Sequence, residues 1–423
     1  MSEGGLAAEV QAWLESNWDT SITVREWWRR LADAGYAYPN WPAGLGGLGV
    51  SRRDAATITG VLAQSRVIGP PVGAMAARLA APTVLQHATE DLQHELVRPI
   101  ATGEAAWCQL FSEPGSGSDL ASIGTRAVRD GDEWVVTGQK VWNSAADSAD
   151  VGMLLARTDV DVPKHAGITY FAIDMKQPGI EVRPLRQMNG ASNFCEVFLT
   201  EARVPVRRVI GAVNDGWRVA QTTLLNERNS VAGGGLFGLV LARSGSEGDL
   251  DRKVGEVLDR AREAARAHKS PLSAGAVPAK VMVELAQTSG VAGHPLVRQD
   301  LARYVSQVRV NGWTMRRCAA AGGNLTGADG SIAKLTTARI CQQSRDLSYR
   351  IVGVRGMLMG RSSPLEGDLQ TVNLASPGNR LGGGSDEIQL NVLGERALGL
   401  PREPSVDKDV PYRDLKVGTQ SER

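Results

Sequence analysis

The stretch Trp107-Cys-Gln-Leu-Phe-Ser-Glu-Pro-Gly-Ser-Gly-Ser-Asp-Leu-Ala-Ser122 holds the residues best suited to chemistry. Its glycines and small hydroxylated side chains leave backbone N–H groups open, the surface that a phosphate or a flat polar ring system needs. An apolar run from Trp107 to Phe111 feeds into it, which favours a binding loop, although the residues alone fit a plain Ser/Gly loop equally well. A second glycine cluster, Gly44-Leu-Gly-Gly-Leu-Gly49, formally matches GxGxxG. No strand precedes it and no strand–helix–strand unit surrounds it, so a surface turn is expected. Four cysteines (Cys108, Cys195, Cys318, Cys341) form no CxxC pair and read as reduced and mostly buried. Five histidines show no ligand spacing, so no metal site is expected.

The elements that must position this loop are bounded by composition. The chain has 423 residues, 42% hydrophobic and 22% charged, enough to bury a large core in two or three domains or one composite unit. A formal net charge of +1 argues for neither nucleic acid nor an acidic membrane surface as partner, and leaves room for a local basic patch that binds an anionic ligand. Residues Met1 to Trp13 lack the long apolar run of a signal peptide, and no stretch of about 20 apolar residues could span a membrane. The expected location is the cytoplasm.

Three textures follow one another. Residues 1–105 read as a helical N-terminal domain, with apolar residues at helical spacing over Ala7–Trp18, Val24–Ala34, Asp54–Gln64 and Ala74–His87. Residues 106–212 carry short β-rich runs between turn residues (Glu133–Thr137, Val151–Ala156, Ile168–Ile173, Cys195–Leu199), which predicts a small antiparallel barrel or sandwich. Residues 213–400 are helical again. Asn214-Asp-Gly216 supplies cap chemistry before a run to Leu241, and helical periodicity returns over 251–268, 275–289, 294–322, 328–354 and 385–397. The tail, 401–423, is polar and expected to be extended. The fold class is therefore α+β and multi-domain, and the helical–β–helical order excludes a doubly wound sheet.

The Trp107–Ser122 stretch resembles the acyl-CoA dehydrogenase family, whose pattern is an apolar pair followed by Thr/Ser-Glu-Pro-Gly-x-Gly-Ser-Asp. Further segments match in order: Trp41-Pro-Ala-Gly-Leu-Gly-Gly-Leu-Gly49, Gly138-Gln-Lys-Val-Trp-Asn-Ser144, Phe194–Pro205, Gly211–Val219, and Gly382-Gly-Gly-Ser-Asp-Glu-Ile-Gln-Leu-Asn391 with Gly394–Pro404. Together they span about residues 35–404. The resemblance implies FAD between the β domain and the C-terminal bundle. Gln109, Phe111 and Ser112 would line the flavin, and Ser118 would reach the FAD phosphate or the thioester arm of an acyl-CoA substrate. Trp142 would stack on the isoalloxazine, Ser144 would hydrogen-bond its polar edge, and Ser385 and Glu387 would touch it from the final helix.

The implied reaction removes a proton next to a thioester carbonyl and passes a hydride to the flavin, so the protein must supply a carboxylate base and donors for the developing enolate. Many family members place the base in the last motif, but alignment puts Gly383 there; its N–H could still donate to the thioester oxygen. A second base position lies in a Leu-x-x-Glu-Arg pattern on the first long C-terminal helix, here Leu224-Leu-Asn-Glu-Arg228, followed by Ala232-Gly-Gly-Gly235. Glu227 is thus the expected base, with Arg228 beside the substrate. The volume freed at Gly383 predicts a wide pocket for a branched or bulky, possibly sterol-side-chain-like, acyl group.

Two motifs depart from the pattern. Arg298-Gln-Asp-Leu-Ala302 loses a Phe-Gly pair, although Arg298 can still bind the flavin pyrophosphate, and Arg350-Ile-Val-Gly-Val-Arg-Gly356 replaces a Gln-x-x-Gly-Gly-x-Gly. These changes resemble bacterial members in which two different chains share flavin sites. The expected assembly is a homo- or hetero-oligomer, dimer or tetramer, passing electrons to an electron-transfer flavoprotein. The alternatives are a non-catalytic partner subunit and an oxygen-using acyl-CoA oxidase or flavin monooxygenase.

Overall fold

The computed structural model describes residues 3–71, 75–232, 242–267, 272, 275–320, 327–402, 404 and 407–415. The N-terminal domain holds α1 (Glu3–Asn17), α2 (Val24–Asp33), α3 (Arg52–Gln64), a π-helical turn at Ala76–Ala80 continuing into α4 (Ala81–His87), and α5 (Glu90–Ala101). Helix α2 shows why these segments fold. Thr23 caps its N-terminus by accepting from the Glu26 N–H at 3.2 Å, and Val24, Trp27, Trp28 and Leu31 form one buried face. The indole N–H groups of Trp27 and Trp28 donate to the carbonyls of Ile68 and Gly69, both at 2.8 Å, so these two fully buried side chains leave no orphan donor. Helix α5 was not expected from periodicity; Pro99 inside its last turn breaks the pattern.

The central domain is one seven-stranded sheet: β1 (Trp107–Leu110), β2 (Arg126–Asp130), β3 (Glu133–Ser144), β4 (Val151–Arg157), β5 (Ile168–Asp174), β6 (Ile180–Leu185) and β7 (Phe194–Pro205). The strand order is β1-β4-β2-β3-β7-β6, with β5 also paired to β4. The expected antiparallel arrangement holds for most pairs, but the sheet is mixed, because β1 and β2 run parallel to β4. The reason is the approach of β1: it arrives from α5 rather than from a hairpin and pairs with a strand some forty residues on. Strands β4 and β5 are buried on both faces. Met153, Leu155, Tyr170 and Ala172 pack into the core shared with the N-terminal helices, while Leu154, Ala156, Phe171 and Ile173 pack into the core beneath.

The C-terminal helices are α6 (Gly216–Ala232), α7 (Val254–Ala267), α8 (Ala279–Thr288), α9 (Pro295–Ala320), α10 (Gly327–Val352), α11 (Asp368–Ala375) and α12 (Asp386–Val392). The continuation of α6 expected through Leu241, with Gly233–Gly235, lies outside the described residues. Helix α6 locks onto the sheet at its start. A Cβ on Gly216 would come within 2.6 Å of the Tyr170 backbone N, so only glycine permits the approach. Two turns later, the buried Thr223 hydroxyl sits 3.1 Å from the Tyr170 hydroxyl on β5 and 2.9 Å from that of Thr83 on α4. The tail is not extended throughout: residues 407–415 fold back onto the central domain, where Tyr412 is buried.

Thr223→Val keeps the volume but strands the buried Tyr170 hydroxyl. A loss of about 1–3 kcal/mol in stability is expected, read from the chemical denaturation midpoint.

Candidate active site

Strand β1 delivers Phe111 and Ser112 to the start of the glycine-rich loop, which Glu113 organises. Its backbone N–H donates to the Ser116 carbonyl at 2.9 Å and its carbonyl accepts from Ser116 N–H at 3.0 Å, closing a tight turn. The carboxylate turns inward and accepts from Gly124 N–H at 2.7 Å, Thr125 N–H at 2.9 Å and the fully buried Lys140 ammonium at 2.8 Å. Lys140 also donates to the Phe111 carbonyl at 3.1 Å. Burial works to raise the Glu113 carboxyl, but Lys140 and the N–H donors outweigh it and hold the group below its ordinary value. The carboxylate thus ties both ends of the loop to β3. Neither residue was singled out from the sequence. The signal was there, since Lys140 follows Trp134 and Val136 at period two on an inward-facing register, where a lysine needs a buried partner.

Beyond Lys140, β3 carries a bulge. Lys140 pairs with Val197 and Asn143 with Cys195, leaving one extra residue on β3. There Trp142 takes φ +63°, a rare state for a bulky residue, and presents its indole to solvent at 56% exposure, edge-on to Phe194 at 5.9 Å. The flanks are fixed. Val141 N–H donates to the Ser112 carbonyl at 2.9 Å, and the Asn143 side-chain amide donates to the Gln109 carbonyl at 2.7 Å. The buried Asn143 Oδ1 accepts no hydrogen bond from the described residues. An aromatic face strained outward beside an orphaned acceptor and a loop of N–H groups suits a flat polar ring carrying phosphates. The structure therefore brings Gln109, Phe111, Ser112, Trp142 and the half-buried Ser144 together, with Ser118 exposed further along the loop.

The second half of the site comes from the helices. Phe111 meets Tyr170 edge-on at 5.8 Å, and Tyr170 meets Thr223 on α6. Glu227 lies one turn beyond Thr223 on the same helix face, about 6 Å along the axis. A Cβ placed on Gly383 would stand 3.9 Å from Glu227 Oε1, so the two positions considered for a base converge on one space. Gly383, at φ +69°, is held from behind: its carbonyl accepts from the Gln389 amide at 2.8 Å, and the Gln389 oxygen accepts from Ser331 on α10 at 2.6 Å. Ser385 caps α12 by accepting from Ile388 N–H at 3.3 Å. Asp386 is engaged structurally. Burial works to raise its carboxyl, while Arg380 at 2.7 Å and Lys334 at 3.0 Å outweigh it and hold the group below its ordinary value. Glu387 is 74% exposed and 3.9 Å from Arg380. Arg298 stands apart, exposed in the first turn of α9. The Arg228 side chain lies outside the described residues.

A separate cleft of about 380 Å³, with Tyr36, Tyr38, Asn40, Arg52 and Thr59 on its walls, lies in the N-terminal domain and touches none of these residues. Chemistry rather than hollow size locates the site. Among the described residues no three His, Cys, Asp or Glu side chains are grouped to hold a metal, and no helix is long and apolar enough to cross a membrane.

Comparison with known proteins fixes the class. Models of the acyl-CoA dehydrogenase N-terminal, middle and C-terminal domains match residues 5–104, 108–202 and 277–398 in that order. The chain thus carries, in order, the three domains of a family of flavin-dependent oxidoreductases acting on acyl-CoA. It belongs to the acyl-CoA dehydrogenase family. It is 39% identical over 375 residues to acyl-CoA dehydrogenase FadE34 of Mycobacterium tuberculosis, covering 88% of this chain but only 46% of that protein, about half its length. It is 33% identical to acyl-CoA dehydrogenase IpdE1 of the same organism, over 90% of this chain and 88% of that one. Among solved structures, the steroid ACAD Tcur3481-Tcur3483 superposes with a TM-score of 0.65 at 26% identity, over 95% of this chain and 98% of that one.

Because the Glu113 carboxyl lies below its ordinary value of 4.5 in the folded state, its stabilisation is complete above that pH and is lost as pH falls through the lower folded value. Denaturation melts of the wild type should lose stability on acidification below about pH 4.5, whereas the double variant Glu113→Gln/Lys140→Met should lose less. At neutral pH, Lys140→Met alone should cost about 3–5 kcal/mol, because it leaves the carboxylate buried without its cation.

Proposed function

We propose that this chain catalyses the FAD-dependent α,β-dehydrogenation of a bulky acyl-CoA, with Glu227 as the base. The observation that carries the reading is the convergence of the Glu227 carboxylate on the side-chain space above Gly383. The acyl thioester lies between α6 and the 382–385 turn. Glu227 takes the proton from the carbon next to the carbonyl, and the Gly383 N–H donates to the thioester oxygen as enolate character develops. FAD supplies the hydride acceptor for the adjacent carbon. Trp142 provides its stacking surface, the 112–118 loop holds its polar parts and the thioester arm, and Ser144, Ser385 and Glu387 complete its contacts within the chain; Arg298, which stands apart, serves the flavin pyrophosphate of a neighbouring subunit.

A glycine at 383 removes a side chain from the pocket wall, which favours a wide acyl group, and the likeness to a solved steroid ACAD supports the same substrate class. The exposed apolar run Val354 (82%), Met357 (85%) and Met359 (61%), just beyond the end of α10, supports an oligomer. The two-component name of that structure favours a hetero-oligomer. The resemblance to the family puts an electron-transfer flavoprotein in the place of acceptor. A second reading, a non-catalytic partner subunit, draws on the lost Phe-Gly pair after Arg298-Gln. A two-chain complex whose flavin bleaches with acyl-CoA at an unchanged rate after Glu227→Gln in this chain would establish it.

Glu227→Gln should slow flavin bleaching by acyl-CoA about a hundred- to ten-thousandfold in stopped-flow absorbance. The exchange Glu227→Gly/Gly383→Glu should recover part of that loss, less the roughly 1–2 kcal/mol of a side chain in the left-handed region. A panel of acyl-CoA esters should show turnover of ring-bearing or branched groups above short straight chains.

A further inference from the structure

The C-terminal residues 407–415 make contacts that the reaction as described does not use. Pro411 bridges to Pro163, Tyr412 N–H donates to the Val162 carbonyl at 2.9 Å, and Arg413 N–H donates to the Val160 carbonyl at 3.0 Å. Arg413 also pairs with Asp161 at 2.7 Å. The Tyr412 ring is buried, with the Arg157 guanidinium carbon 3.8 Å from its centroid. These partners are shared with the glycine-rich loop. The same Arg157 donates to the Ala121 carbonyl at 2.6 Å and the Ile123 carbonyl at 3.2 Å, and its backbone N–H donates to the Thr125 carbonyl at 2.7 Å. Lys164 lies 3.0 Å from Asp119 in the loop and 3.1 Å from Asp407 in the tail. Asp119 in turn accepts from the Ser122 hydroxyl. The Tyr412 hydroxyl reaches the Ser122 carbonyl at 3.5 Å.

Three charges close the 112–125 segment: Glu113 on Lys140, Asp119 on Lys164, and the 121 and 123 carbonyls on Arg157. The last two cations are held from their far sides by Asp407 and Tyr412. We propose that residues 407–415 are a positioning strap, which sets the geometry of the cofactor and thioester loop by fixing Arg157 and Lys164. This rests on the reading of that loop as the binding loop. The strap residues touch no reacting atom, so the chemical step itself is not their role. Fixing a cation between two anchors lowers the freedom of the loop it holds, and that freedom must otherwise be lost when a ligand binds.

The test uses full-length protein and compares Tyr412→Leu, Tyr412→Phe and Asp407→Asn with wild type, well below the unfolding temperature. A loop variant, Gly117→Asp, serves as reference; a Cβ there meets nothing within 4 Å, and its carboxylate opposes the anionic ligand. The readouts are the FAD dissociation constant, the visible circular dichroism of bound flavin, and KM against kcat at saturating FAD. Tyr412→Leu should weaken FAD about tenfold and alter the dichroism, while Tyr412→Phe, which keeps a ring over Arg157, stays near wild type. KM for acyl-CoA should rise while kcat holds. Should Tyr412→Leu fail to fold, Asp407→Asn carries the test, with a loss of about threefold that shrinks at high salt. If the strap variants match wild type while Gly117→Asp weakens FAD, the strap is surface packing and the proposal fails with the loop reading intact. If Gly117→Asp also leaves FAD and acyl-CoA affinity unchanged, the loop reading fails and takes the proposal with it.

Discussion

Much of the structure depends on the ion pair between Lys140 and Glu113. A fully buried ammonium is tolerated only with a carboxylate in contact, here at 2.8 Å, and further acceptors around it. The Glu113 carboxylate meets that need and, with its remaining capacity, accepts two backbone N–H groups eleven and twelve residues away. The Lys140 ammonium spends another donor on the Phe111 carbonyl. One pair therefore fixes the start of the loop, its end, and the strand that leads to Trp142. The bulge after Lys140 follows in register: with 140 anchored inward and Asn143 tied to Gln109, the extra residue has to be accommodated between them, and its side chain faces out.

The helical half answers a different constraint. In the proposed reaction a base has to be brought to the acyl thioester, and α6 is placed for that by close approach to the sheet at Gly216 and by hydroxyl contact at Thr223. Those two contacts set the rotation of the helix, and the rotation decides where Glu227 points. Gly383 has no side chain, and its turn is pinned through Gln389 to Ser331 on α10, a helix that also packs against α6. A carboxylate at both 227 and 383 would place like charges in one space, so the glycine is as much a part of this arrangement as the glutamate.

The long periodic helices were legible, with bounds within a few residues, because each buries one continuous face. Strands β4 and β5 were legible as apolar runs. Strands β2 and β6 were not: their exposed faces carry arginines, glutamate and aspartate, and they are strands chiefly because β3 and β7 pair with them. The parallel pairing of β1 was likewise beyond local reading, since it depends on a partner far along the chain. At the site, the motifs offered Ser112, Trp142, Glu227 and Gly383 as candidates; the structure brings the first two together and the last two together, and their roles are those proposed above. What could not be read was mutual support. That Glu113 serves Lys140, or that Tyr412 covers Arg157, is a relation between distant positions, and the polar composition of the tail concealed its one anchoring ring.

Trp142 carries a consequence for how such a chain drifts. A bulky residue at φ +63° holds about 1–3 kcal/mol of backbone strain, and its exposed indole returns little of that through packing. Replacement by glycine or asparagine would relax the backbone, so mutation at this position is pulled toward a more stable protein that lacks the proposed stacking surface. Selection for folding alone would erase the tryptophan. Directed evolution for heat tolerance should therefore hold position 142 fixed, or it will find its gains there first.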